Sequence, residues 1–156
     1  MGVESALNKL VPIVSVEFVE DVLKLSYGAG MEALKFFRCA GLKFDRKHSS
    51  TTWNLLVDLL GKDKFFDVMW DCIKVMKNEG IVSMETIFCV FRNYVQADKV
   101  DEAIMTFEVM KNYVCQQDII ALNGLLHAIL PLYYKYMKKY VDYLIIDNSF
   151  YLQTFL

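Results

Sequence analysis

Two histidines, four cysteines and nineteen acidic side chains are the groups with which this sequence could do chemistry. His48 and His127 each lack a nearby acid or nucleophile in a catalytic pattern, and a lone histidine is more often a core or surface polar residue than a general base. Cys39, Cys72, Cys89 and Cys115 are scattered singly along the chain, far too widely spaced for any metal-ligand pattern. With no secretory peptide to place them in an oxidising compartment, they read as reduced core thiols. Glu17, Glu20 and Asp21, and then Asp98, Asp101 and Glu102, read as solvated helix faces or favourable first-turn acids rather than paired catalytic carboxylates. The chemistry expected is therefore recognition and not catalysis, with neither cofactor nor metal. Asn54 and Asn123, each followed by an apolar run, are ordinary polar residues near a helix start or hydrogen-bonding readers of a partner.

Any such reader needs rigid elements behind it. The chain has 156 residues, of which 55% are hydrophobic, with two prolines and seven glycines. That composition disfavours both disorder and a loop-rich β fold. Lysine and arginine (17) nearly balance aspartate and glutamate (19), giving a net charge of −2, so a surface for a polyanion must be local. Asp142, Asp147 and other polar residues interrupt the longest apolar stretches, so no run of about 20 apolar residues is present to span a bilayer.

Self-similarity supplies the organisation. Val75-Met76-Lys77-Asn78 recurs as Val109-Met110-Lys111-Asn112, at an offset of 34. Glu32-Ala33-Leu34 with Phe37 recurs as Glu102-Ala103-Ile104 with Phe107, two periods of 35 away, and Trp53-Asn54 recurs as Leu122-Asn123 at an offset of 69. A period of this size marks a stack of identical supersecondary units. Leu56, Leu59 and Leu60, then Phe66, Met69, Ile73 and Met76, follow helical spacing on either side of a charged break, Gly61-Lys62-Asp63-Lys64. Gly80 is a C-cap after Lys77. The sequence predicts an all-α chain: an α-solenoid of antiparallel helix-turn-helix repeats, one hairpin to each period. The segments expected are a leader over 1–13, a degenerate hairpin over 14–49, hairpins over 50–83 and 84–118, a partial repeat over 119–130 and a divergent tail over 131–156. Phe36, Phe37, Phe65, Phe66, Phe91 and Phe107 are assigned to packing.

The tetratricopeptide repeat has the same period but wants a Trp, a Leu-Gly pair and a Tyr in its first helix, which are missing here. Trp53-Asn54-Leu55-Leu56, the polar turn from Gln96 to Val100, and the run from Asp101 through Ala103, Phe107 and Met110 to Lys111 instead resemble the plant pentatricopeptide-repeat family, P-type. The segments Phe18 to Leu23 and Ala33 to Ala40 are similar to the degenerate opening of its organellar members. The resemblance implies a right-handed superhelix that binds single-stranded RNA, each repeat contacting one base through two or three side chains. It further implies that the base-reading pair is the fifth residue of a repeat's first helix with the repeat's last residue. These positions are Asn54 with Ser83, a pair of pyrimidine-preferring character, and Phe88 with Asp118; Asn123 holds the fifth position of the partial repeat. Phe88 departs from the polar type and offers no hydrogen bond to a base edge. The resemblance puts Thr51, Glu85 and Ile120 at the position that wedges bases, where Glu85 has the wrong sign for a phosphate chain. It makes Lys62 the turn lysine for the RNA backbone, with Gln96 and Pro131 at the equivalent places.

The tail holds six tyrosines, two phenylalanines, Lys135, Lys138 and Lys139 and leaves the repeat register, as a truncated product would. Apolar surface at Leu125, Leu126 and Ile129 is expected to be exposed at an uncapped final repeat and to favour self-association, or else to be covered by the tail folding over as a cap. The resemblance implies a mitochondrial setting first and a chloroplast second, in RNA processing, stability or translation, with other organellar proteins as further partners. The first dozen residues contain Glu4 and no arginine, unlike an import presequence. The alternatives kept open are a helical protein-interaction scaffold without RNA affinity, and a non-functional fragment.

Overall fold

Three serines start the first helices of successive hairpins. Ser15, Ser49 and Ser83, each one period after the last, are the N-caps of α1 (Val16–Leu25), α3 (Ser50–Lys62) and α5 (Met84–Gln96). The Ser15 and Ser49 hydroxyls accept from the amides of Phe18 and Thr52, donors that a helix cannot satisfy internally. Between these lie the second helices, α2 (Gly30–Gly41), α4 (Phe66–Asn78) and α6 (Val100–Val109), the last ending in a 3-10 turn over Met110–Asn112. A further helix, α7, covers 120–135. The structure is a computed structural model that describes residues 14–42, 48–113, 120–135 and 138, and among these there is no strand.

The repeat seen in the sequence is also a repeat of backbone shape. Lys64 and Asp98, one period apart, both take left-handed angles (φ 64° and 59°) in the turns between helices. Helix α4 ends at Gly80 (φ 69°), whose amide donates to the Lys77 carbonyl while Ile81 donates to Met76, a left-handed cap that glycine adopts without a Cβ penalty.

Helix α3 packs on α1, on α4 and on α5, and α5 packs in turn on α6. The first helices α1, α3 and α5 therefore stack side by side as one layer, with the second helices behind them. This is a helical-repeat solenoid in which each hairpin buries its apolar stripe against its neighbours. The core runs continuously through Leu23, Phe37, Leu56, Leu60, Met69, Ile73, Met76, Ile87, Val90, Phe91 and Met110. Met76 and Met110, the methionines of the repeated tetrapeptide, are both fully buried.

Hairpins are also joined by polar contacts. The Asp63 carboxylate, in the turn of one hairpin, accepts from the amides of Gly28 and Gly30 in the preceding one (3.0 and 2.7 Å), capping α2 from outside. Helices α3 and α5 approach closely at Gly61, where a Cβ would lie 2.6 Å from Asn93 Cγ.

Four expectations are corrected. Phe65 is 41% exposed rather than core, because it is the N-cap of α4 and points away from the stripe that starts at Phe66. The charged break is shorter than expected, since Gly61 and Lys62 complete the last turn of α3 and only Asp63 to Phe65 form the turn. Helix α7 continues past Leu130 and through Pro131, and Leu132, buried in the core, anchors its last described turn. Leu125 is buried, occupying the place that Leu56 and Val90 hold in the two preceding repeats, while Leu126 is exposed and Ile129 partly buried. The leader, Asp118 and all of the tail but 131–135 and 138 lie outside the described residues.

Candidate nucleic-acid interface

Stacking α3 beside α5 brings three of the expected site residues, Thr51, Asn54 and Ser83, around one groove of about 420 Å³, with Asp58, Glu85 and Arg92 on its walls. Thr51 and Asn54 come from the first turns of α3, and Ser83 from the cap of α5.

The polar centre of the groove is held by Thr86, a fully buried residue that sequence reasoning passed over. Its hydroxyl donates to Asn54 Oδ1 at 2.7 Å, accepts from the Ser83 amide at 3.1 Å, and lies 3.3 Å from the Ser83 hydroxyl. A threonine has one hydroxyl proton, so with that proton on Asn54 the Ser83 hydroxyl is the donor in the third contact. Asn54 is left presenting its amide protons, which no described residue accepts, and Ser83 one oxygen lone pair, the other accepting the Thr86 amide. Ser83 is thus an N-cap and a groove residue at once, reciprocating with Thr86 as a capping box.

Each cation at the groove is matched by an acid. Lys62 Nζ lies 2.6 Å from Asp58 and Arg92 Nη2 lies 3.3 Å from Glu85. Lys62 thereby sits on the last turn of α3, a correction to its expected place in the turn. Arg92, also missed in the sequence, stands two helical turns after Glu85, a spacing that returns to the same helix face. It further donates to Cys89 Sγ at 3.1 Å. Burial pushes the Cys89 thiol up to about 12 and the Cys72 thiol up to about 11, which keeps both protonated. Cys39 is half-buried and, like these two, in no disulfide.

The remaining expected residues do not converge on this groove. Phe88 is half-buried and lies along α7, where a Cβ on Gly124 would collide with its ring. Ile120 is 61% exposed, and Asn123 is exposed on the same helix. Gln96 ends α5 and Pro131 lies within α7, both exposed.

Outside this groove, His48 stacks on Phe37 (3.8 Å between ring centroids) and donates to the Phe37 carbonyl at 2.9 Å. Burial lowers its pKa below the ordinary value, against the raising effects of that hydrogen bond and of Glu79. No helix among the described residues is long and apolar enough to cross a membrane.

Stacked hairpins of this length with a polar groove along the first-helix layer define the class of helical-repeat proteins. A family model described as PPR repeat matches residues 51–81 and 89–115. Two mitochondrial pentatricopeptide repeat-containing proteins of Arabidopsis thaliana are 36% and 33% identical to the chain, each over 81% of it, and a third is 34% identical over 79%. The chain carries pentatricopeptide-type repeats, and the location its relatives support is the mitochondrion. It spans about a quarter of the length of those relatives (24%, 25% and 23%). No solved structure matches the chain significantly.

Proposed function

We propose that this chain binds single-stranded RNA along the layer formed by α1, α3 and α5, and takes part in mitochondrial RNA processing, stability or translation. The observation that carries the reading is the pairing of Asn54 and Ser83 in one groove, the first offering amide protons and the second a free oxygen lone pair. A donor beside an acceptor matches adjacent groups on a base edge, such as O2 and N3–H of uracil or N3 and N4–H of cytosine, and the preference for pyrimidines over purines is what the family resemblance adds. Thr51 lines the same groove and flanks the base, and Lys62 and Arg92 lie along the path of the phosphates. Ile120 and Asn123 offer a second exposed wedge and reader on α7, with Phe88 and Asp118 as the non-reading pair between. Binding by so few repeats is weak, because each stacked base adds only about 1–3 kcal/mol and the groove's cations are already paired.

Fluorescence anisotropy of the folded chain with labelled pyrimidine and purine oligonucleotides tests the reading. A pyrimidine preference that Asn54→Ala removes is the expected result. Equal affinity for all sequences, unchanged by Asn54→Ala, refutes the register. A protein-interaction scaffold is the competing reading, favoured by the ion pairing of Lys62 with Asp58 and of Arg92 with Glu85; base-selective RNA binding that Asn54→Ala removes excludes it.

A further inference from the structure

The bond between Thr86 and Asn54 has a counterpart one repeat earlier. Thr52, one period before Thr86, points its hydroxyl at Glu20 Oε1 (3.4 Å), and Glu20 is itself one period before Asn54. Thr52 is also 2.7 Å from the Ser49 hydroxyl, as Thr86 is 3.3 Å from that of Ser83. In both joints, then, a buried threonine on the third residue of one hairpin engages the two groove-facing positions of the hairpin before it. At the next joint the pattern changes on both sides at once. Ala121, fully buried, stands one period after Thr86, and Phe88 stands one period after Asn54. Hydroxyl and amide have been replaced together by methyl and ring, and the ring instead packs on Gly124.

We propose that Thr86 is a positioning residue for base recognition: its hydroxyl fixes which face of the Asn54 amide the groove presents, so that discrimination by one hairpin is set by the third residue of the next. A free asparagine amide rotates and can offer oxygen or nitrogen to a base with similar ease. Holding Oδ1 as an acceptor removes half of those states before RNA arrives, and binding no longer has to order the group. By the same logic the third hairpin has no base discrimination, since the joint formed with Ala121 has no hydroxyl to orient a reader. The inference rests on the RNA reading for its consequence, but the orientation of Asn54 is a property of the free protein.

The test uses the full chain with Thr86→Val and Thr86→Ser, read in two ways. In the RNA-free protein, the side-chain amide signals of Asn54 in ¹⁵N-labelled NMR spectra are dispersed in the parent and in Thr86→Ser, and collapse toward averaged values in Thr86→Val. In binding, Thr86→Val lowers the ratio of pyrimidine to purine affinity by about three- to tenfold, the equivalent of one net hydrogen bond, and Thr86→Ser restores it. Unchanged Asn54 signals in Thr86→Val, or a failure of Thr86→Ser to restore them, overturns the proposal. If the parent binds no RNA, the RNA reading fails while the NMR comparison still decides whether Thr86 positions Asn54. Should Thr86→Val not fold, Phe88→Asn made with and without Ala121→Thr asks the same question: the introduced amide is ordered only in the double variant, and order in the single variant overturns the idea.

Discussion

Glu85 is the groove's wrong-signed charge, and removing it is expected to strengthen RNA binding. Its carboxylate lies 3.3 Å from Arg92 Nη2, with both side chains about half exposed, so the pair itself contributes little to stability, on the order of 0–1 kcal/mol. In Glu85→Gln the shape is kept, a repulsive charge is lost, and Arg92 is released to meet a phosphate. For a phosphate about 7 Å from the former carboxylate, Coulomb's law gives about 0.6 kcal/mol at the dielectric of water and about 1.2 kcal/mol at half of it. The affinity gain is therefore about three- to eightfold. If Arg92 takes up one more phosphate, the slope of log K against log salt steepens by about 0.7. Anisotropy titrations of the parent and Glu85→Gln at several salt concentrations, with circular dichroism to check that both are folded, measure both quantities. Equal affinities with equal slopes would show that no phosphate passes this groove, and the path drawn for the RNA backbone would be wrong.

Two further outcomes concern stability. Gly61→Ala is expected to lower the melting temperature although alanine is the better helix former. The added methyl meets Asn93 within 2.6–2.7 Å, an overpacking that costs about 1–3 kcal/mol against about 1 kcal/mol gained in propensity. A melting temperature equal to or above that of the parent contradicts this account of how α3 and α5 meet. His48 gives a pH dependence whose sign follows from its lowered pKa: the unfolded chain takes up a proton near pH 6.5 that the folded protein resists, so stability falls as the pH drops below that value. Melting curves from mildly alkaline to mildly acidic pH are expected to show a smaller loss for His48→Gln than for the parent, and equal losses would assign the dependence elsewhere.

What the sequence disclosed followed from periodicity. The recurrence of Val75 to Asn78 as Val109 to Asn112 gives the period, and the apolar spacing around Leu56 and Met69 gives helices whose buried faces are those observed. The same logic brings Thr51, Asn54 and Ser83 to one groove, because residues at equivalent places in adjacent repeats line up when first helices stack. Periodicity is blind to contacts between different positions of neighbouring hairpins. Thr86 reads as one more buried helix residue until its hydroxyl is seen against Asn54, and Asp63 reads as a turn acid until it is seen capping α2. Arg92 is within reach of sequence reasoning, since it follows Glu85 by two helical turns, but nothing in the family resemblance draws attention to it. Phe65 departs from expectation at an element boundary, where a single step of register decides whether a side chain faces the core, whereas Leu125, well inside α7, is buried because it holds the place of Leu56 and Val90 in the preceding repeats.

The most direct test of the RNA reading is a salt titration of the folded, helical chain against labelled single-stranded RNA, with Lys62→Ala beside it. Binding that weakens linearly with log salt, with a slope shallower by about 0.7 in Lys62→Ala, is the result predicted for a groove that neutralises phosphates one by one. A folded sample that binds no RNA at low salt, or binds it with the same slope in both proteins, would contradict it.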